Sequence, residues 1–392
     1  MPSRRRKRIL HIGVGNVYGG VETVMTTLAR HRDLCPDLEV EFALCFEGRQ
    51  AAALRATGAA VHLIREPRMR TFWRARRNLR DILRARQIDG AVFHAPWIYT
   101  LLAPAVRAAR LPGILIHYDP TDGRRWLYRV LSPGKPTLAI AISQPAAASV
   151  PKLFSDVRCE TIYVPAELPA KRALSAADRD AVRAELSTTP GAIVILQVGR
   201  MEPYKGHRVN LRALVKLPEL PNLVCWFAGR AELDYEQQYL DSLKAEAASL
   251  GIADRVRFIG YYDDLSRLLA AADIYCQPNT GSEGFGLTFI EALWAQLPVI
   301  GTPLSGVIDI LDDECAIIVP PEDFDAVADA IRKLAGDPDL RARMGAAGPA
   351  RVTQCCDAER QVLRLDEAIL AAVENAAPPS RSQAGTTSAD GE

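Results

Sequence analysis

The sequence predicts an α/β protein made of two Rossmann-like, doubly wound parallel-sheet domains that face a central cleft. Three observations predict it. Thirteen short apolar runs recur along the chain with helical patterns between them, and strands that alternate with helices pair in parallel. The runs are continuously apolar rather than alternating, as in strands buried on both faces. They also form two series, seven runs then six, parted by VPAELPAKRALSAAD (164–178), which is rich in Pro and Ala and has no strand pattern.

In order, the first series is RILHIG (8–13), LEVEFALCF (38–46), AAVHLI (59–64), GAVFHA (90–95), GILIHY (113–118), TLAIAIS (137–143) and ETIYV (160–164). The second is AIVILQVG (192–199), LVCWFAG (223–229), RVRFIG (255–260), DIYCQP (273–278), PVIGT (298–302) and AIIVP (316–320). Helical patterns fill the gaps. YEQQYLDSLKAEAASLG (235–251), for example, ends in a capping glycine. The expected domains are 1–165 and 166–356, with a last helix over 357–375 returning to the first domain. Residues 376–392, AAPPSRSQAGTTSADGE, have the composition of a disordered tail.

A chain of 392 residues can bury two or three full-sized cores. Its net charge of +1 hides an asymmetry. Residues 1–165 carry 26 Lys+Arg and 13 Asp+Glu, and residues 166–392 carry 22 and 34. A basic half joined to an acidic half implies that one half meets something anionic. The eight cysteines form no CxxC pair and no metal-ligand spacing, which points to a reducing cytosol. Cys355 and Cys356 are adjacent, and their plain reading is structural. Five basic residues, Arg4 to Arg8, precede only ILHIGVG, too short a run for a signal peptide. No window reaches 18 apolar residues, so no membrane span is expected.

The chemistry concentrates in SEGFGLTFIEALWAQLPVIGTP (282–303). The loop NTGSEGFG follows a strand, and a helix is expected from about Leu287 to Gln296. Ligands of open α/β sheets sit beyond the carboxyl ends of strands, so this loop faces the cleft. Gly284 and Gly286 let backbone approach a ligand, and the helix start offers N–H groups and a positive dipole end for phosphate. Glu283 would repel phosphate and therefore suits sugar hydroxyls. Glu291 stands eight positions later, roughly 12 Å if the span is helical. A carboxylate at each end with backbone donors between fits a nucleotide-sugar. The plain alternative is one helix-start acid and one solvated glutamate. VGRMEPYKGH (198–207) enters the same cleft, where Arg200 and Lys205 suit a diphosphate clamp.

The first domain opens with HIGVGNVYGGVETVM (11–25), a strand, a glycine-rich loop and a helix. Gly19 falls one position late for GxGxxG, and no GxxxxGK[ST] occurs, so neither a dinucleotide fingerprint nor a P-loop is present. Gly19 and Gly20 would let backbone approach the diphosphate from the opposite side. His117 and His94 end neighbouring strands at the cleft. Each has a structural reading, and the pairing favours His117 as a sugar contact.

Together these residues resemble the retaining glycosyltransferases of family 4, which have the GT-B fold. The resemblance runs from Gly19-Gly20 to the C-terminal helix. Its most specific parts are the Glu283…Glu291 pair and the Gly199-Arg200…Lys205-Gly206 loop. It implies that Arg200 and Lys205 hold the donor diphosphate, Glu283 contacts the transferred sugar and Glu291 bonds the ribose. It further implies that Gly19 and Gly20 approach the donor and that His117 contacts the sugar. Phe285, Gly286 and Leu287 then support the diphosphate, and Ile259 and Gly260 lie near the base. The first domain becomes the acceptor side. The sequence departs from the family at VPAEL (164–168), at Asp309 where glutamate is common, and at Cys355-Cys356-Asp357 where an aromatic-Ser-Trp is common.

The expected reaction is a retaining, metal-independent hexosyl transfer from a UDP-sugar to a saccharide or lipid-linked acceptor. The leaving phosphate would take the acceptor proton. No cofactor, metal or nucleic acid is expected. Asp323-Phe-Asp325 resembles a metal-binding DxD but opens a helix, where acids cap. A nucleotide-sugar epimerase and a non-catalytic nucleotide-sugar-binding module are the rival readings. Residues 65–86, REPRMRTFWRARRNLRDILRAR, hold nine arginines on an amphipathic pattern with Phe72, Trp73, Leu79, Ile82 and Leu83. That pattern suits an anionic membrane surface, and equally a core-packing helix with a solvated arginine face. The protein is thus expected in the cytoplasm, at the inner face of the membrane.

Overall fold

The structure, a computed structural model, describes residues 5–15, 20–65, 72–121, 134–168 and 174–376. All thirteen expected strands form. The first seven are β1 (Lys7–Gly13), β2 (Leu38–Leu44), β3 (Val61–Leu63), β4 (Gly90–Phe93), β5 (Gly113–His117), β6 (Leu138–Ala141) and β7 (Cys159–Thr161). They make one parallel sheet in the order β3-β2-β1-β4-β5-β6-β7. The other six are β8 (Ile193–Val198), β9 (Leu223–Ala228), β10 (Val256–Gly260), β11 (Ile274–Gln277), β12 (Val299–Gly301) and β13 (Ala316–Ile318). They make a second parallel sheet, β10-β9-β8-β11-β12-β13.

Successive residues of a strand point to opposite faces, and the cores follow that rule. Ile114 and Ile116 of β5 join one apolar layer while Leu115 joins another. In β9, Trp226 faces one layer while Cys225 and Phe227 face the opposite one. The layer holding Ile116 and Trp226 continues from one sheet to the other and takes in Val362, Leu365, Ile369 and Val373 of the last helix, Ala358–Ala376. That helix packs on the first sheet, where a Cβ on Gly90 would lie 2.7 Å from Val373 Cγ2. Ala166 donates its N–H to the Cys356 carbonyl at 3.0 Å, so the chain's two passages between domains run side by side. All eight cysteines are free, and only Cys159 is not buried.

In each sheet the strand order reverses once, between β1 and β4 and between β8 and β11. A crevice opens beyond the carboxyl ends at such a point. In the second sheet the loops flanking it are Gly199–Lys205 and Pro278–Gly286, the two loops that carry the charged residues of interest.

The arginine-rich segment forms the helix Phe72–Ala85, and residues 66–71 lie outside the described residues. Its buried stripe is Ala75, Leu79 and Leu83, spaced four apart. Phe72 and Ile82, expected on that stripe, sit at its margins, half-buried. Arg76 turns inward and donates to the Leu101 carbonyl at 2.6 Å. Among the described residues, no helix is long and apolar enough to cross a membrane.

Candidate active site

The helix Leu287–Trp294 starts directly after Gly286. Gly286 has φ +85°, the left-handed region that favours glycine, and this turns the loop sharply into the helix. Only the second half of the Glu283–Glu291 span is therefore helical, so a helical rise does not set their separation. The first N–H groups of the helix have no intrahelical partner and head the loop that carries Glu283. Phe285, in that loop, is buried and meets Tyr163 of the first domain with ring centroids 5.7 Å apart.

A cavity of about 480 Å³ opens here between the domains. The second domain lines it with Arg200, Lys205, Glu283, Leu287 and Glu291, among others. The first domain contributes Gly20, Glu22, Tyr118 and Asp119. The structure thus gathers most of the residues singled out in the sequence. Phe285 and Gly286 also line the cavity. Gly20 begins the helix Gly20–Arg30, and a Cβ there would sit 3.7 Å from Leu287 Cδ1 across the cleft. Gly19 lies outside the described residues. Ile259 and Gly260 end β10 at the sheet edge and are not part of this lining.

Lys205 ion-pairs with Glu283, both side chains being nearly buried. Behind Glu283 stands Gln277, the fully buried last residue of β11. Its amide nitrogen donates to Asn279 Oδ1 at 3.0 Å and reaches Glu283 Oε2 at 3.5 Å. Its carbonyl accepts from the Tyr275 hydroxyl at 2.7 Å. Arg200 is fixed by two carboxylates, Glu202 at 2.8 Å and Glu236 at 2.9 Å. Glu236 is wholly buried, and its other oxygen accepts from the N–H groups of Glu232 and Leu233. Gln277 and Glu236 were not singled out from the sequence. A polar residue closing an apolar strand, as in DIYCQP, was the available signal for the first. Nothing local marks the second.

Glu291 has no cation to neutralise it among the described residues, and burial pushes its carboxyl up to about 7. His117 is the last residue of β5. Its Nε2 shares a hydrogen bond of 2.9 Å with Ser149 Oγ, and its Nδ1 is buried and unpartnered. Burial lowers its pKa to about 4, so the ring is neutral. His117 lines a second cavity, of about 560 Å³, rather than the first. Val21, Tyr118 and Asp119 are common to both cavities, which therefore adjoin. His94 holds the Tyr118 hydroxyl at 2.7 Å and His11 at 2.9 Å, forming a buried neutral chain.

The acidic pair Asp323 and Asp325 is otherwise engaged. Asp323 caps the helix Phe324–Gly336 by accepting from Ala326 N at 2.8 Å, and Asp325 pairs with Lys216 at 2.5 Å. Among the described residues there is no group of three or more His, Cys, Asp or Glu placed to hold a metal ion.

Residues 178–351 match the family described as glycosyl transferases group 1. The chain is similar to a phosphatidyl-myo-inositol mannosyltransferase of Mycobacterium leprae, 36% identical over 163 residues. That match spans 40% of this chain and 41% of the relative, so the chain aligns with less than half of that protein's length. A longer match is to a GDP-mannose-dependent monoacylated alpha-(1-6)-phosphatidylinositol monomannoside mannosyltransferase of Corynebacterium glutamicum. It is 25% identical over 354 residues, 85% of this chain and 90% of the relative. In fold the chain resembles Anabaena Alr3699/HepE, solved in complex with UDP and glucose. The TM-score is 0.81 at 20% identity, over 93% of this chain and all of that one.

Proposed function

We propose that this chain, a family-4-like glycosyltransferase of the GT-B fold, moves a hexosyl unit from a nucleotide-diphosphate sugar to a saccharide or lipid-linked acceptor of the cell envelope or exopolysaccharide. The observation that carries the reading is the interdomain cavity. One wall supplies Arg200, Lys205, a helix start, Glu283 and Glu291, and the other supplies Gly20, Tyr118 and Asp119. Two cations and a helix start suit the diphosphate as leaving group, whose growing charge they stabilise without a metal. Glu283, at the mouth of the loop, suits the sugar hydroxyls, and Glu291, deeper along the helix, suits the ribose. The sugar keeps its anomeric configuration, as the family resemblance implies, by attack on the face the diphosphate leaves.

Lys205 is already paired with Glu283. Donor binding must therefore trade that pair for phosphate on one side and sugar hydroxyls on the other. A nucleotide without a sugar leaves Glu283 uncompensated. The base proposed is uracil, in keeping with the complex of the fold neighbour, while GDP-mannose, named for the longer relative, is the direct competitor. The acceptor is proposed at an anionic membrane surface on the cytoplasmic side. Supporting this, Arg74, Arg77, Arg80 and Arg84 are exposed on the helix Phe72–Ala85, and Trp73 is 62% exposed beside them.

The test is a thermal-shift screen of nucleotide sugars followed by sugar-release assays in EDTA. A true donor raises the melting temperature, with about 2.7 kcal/mol of stabilisation at a hundred times its Kd. It should outdo its own nucleotide diphosphate and turn over without added metal. No shift with any UDP- or GDP-sugar would overturn the reading. Binding without turnover would make the chain a binding module.

A further inference from the structure

We propose that Asp119 is the carboxylate that binds the attacking hydroxyl of the acceptor, a catalytic residue reached from the first domain. The inference rests on the transferase reading. Asp119 follows β5 by two residues and lines both adjoining cavities. It also reaches across the cleft. A Cβ on Gly284 would lie 2.7 Å from Asp119 Oδ1, so the donor loop carries a glycine where this carboxylate arrives. Asp119 therefore stands between the donor cavity, with Glu283 and Lys205, and a second cavity with no other charged residue in its described lining.

The groups around it define its chemistry. Among the described residues of its own domain these are Glu22, Tyr118 and the histidines His94 and His117, both held neutral by burial. From the other domain they are Lys205, Glu283, Arg200, Tyr204 and Glu291. Asp119 is exposed to the cavities it lines. The partial loss of water around it and the facing Glu283 raise its proton affinity, and Lys205 only partly counters them. A carboxylate with no ion pair among the described residues accepts hydrogen bonds from hydroxyls and repels phosphate. The part of the acceptor that it binds is accordingly a hydroxyl.

The reaction then balances. The acceptor oxygen bonds to the anomeric carbon as the bond from that carbon to the diphosphate breaks. The electron pair leaves on the diphosphate beside Lys205 and Arg200. The hydroxyl proton passes to Asp119 and from there to solvent, a role that the sequence alone left to the leaving phosphate.

The test compares wild type with Asp119→Asn in two measurements. Calorimetric titration with UDP and with GDP reads the donor side. Hexose transfer from UDP-glucose or GDP-mannose to a crude envelope extract, followed against pH, reads the acceptor side. Removing a negative charge beside the diphosphate site should tighten nucleotide binding, by about threefold or more. Transfer should fall at least about 100-fold, as when a positioned base is lost, and the acid limb of its pH profile should disappear. A structural role would weaken both. Nucleotide binding that is unchanged or weaker in Asp119→Asn overturns the proposal, as does transfer within about threefold of wild type. A wild type that binds neither nucleotide overturns the transferase reading, and this inference with it.

Discussion

Replacing Glu291 by glutamine should stabilise the protein, and more so as pH rises. Burial moves this carboxyl from 4.5 to about 7. The folded chain thus holds the proton more tightly than the unfolded chain does. Below about pH 4.5 both states are protonated and the residue costs nothing. Between there and about pH 7 the unfolded state ionises first, and stability drains away at about 1.4 kcal/mol per pH unit. By pH 8 the ionised carboxylate costs the fold about 3 kcal/mol. Glutamine has nearly the same shape and no charge, so Glu291→Gln escapes this cost. Melting curves of the two proteins, run in parallel from pH 4.5 to pH 8, should start together and separate by several degrees, at about 2–4 °C per kcal/mol for a domain of this size. Asp366, also pushed up to about 7 by burial, titrates alike in both proteins and cancels. A gap that is constant or narrows with pH would refute the argument. The stabilised variant should also bind donor more weakly, because an amide offers the ribose one acceptor oxygen where a carboxylate offers two. Gain in stability with loss of binding is the usual mark of strain kept for function.

Glu283→Gln should leave a folded protein whose turnover falls about 100-fold or more; near-normal sugar release would contradict the role given to Glu283. Gly206 has φ +80°, and a Cβ there would lie 1.9 Å from the Pro278 carbonyl oxygen, so Gly206→Ala should cost more than about 1 kcal/mol and separate the two loops that meet at that point. A denaturant midpoint equal to wild type would show that the contact is dispensable. The triple change of Arg74, Arg77 and Arg84 to glutamine should release the protein from phosphatidylglycerol vesicles at low salt, at about 1 kcal/mol per residue. If wild type stays in the supernatant, or the variant still sediments, the acceptor is not met at the membrane through this helix.

What was legible in the sequence follows from the range of the physics involved. The inner strands were visible because burial on both faces writes a continuous apolar run into the local sequence, and β4 and β9 are buried at every position. The edge strands β3 and β7, by contrast, have no buried position and show only as short apolar runs. The loops at the reversal points were visible because glycine and charge stand immediately after the runs of inner strands. The helix Phe72–Ala85 was visible as amphipathic, but its inner stripe was misjudged. Aromatic residues weigh heavily in a pattern, whereas the small Ala75 belongs to the buried stripe and Phe72 lies at its edge. Contacts between residues far apart in the sequence leave no local trace. The sequence separates Glu236 from Arg200 by 36 positions and Asp119 from Gly284 by 165. Neither pair has a pattern that could join them. Gly284 shows the limit most plainly. In the sequence it reads as a residue that lets backbone approach a ligand. In the fold its missing side chain also makes room for a carboxylate from the opposite domain. One glycine thus serves two demands, and the second becomes visible only when both sheets are in place. Substituting alanine at Gly284 should therefore act on the acceptor side as well as the donor side, although Gly284 belongs to the donor domain.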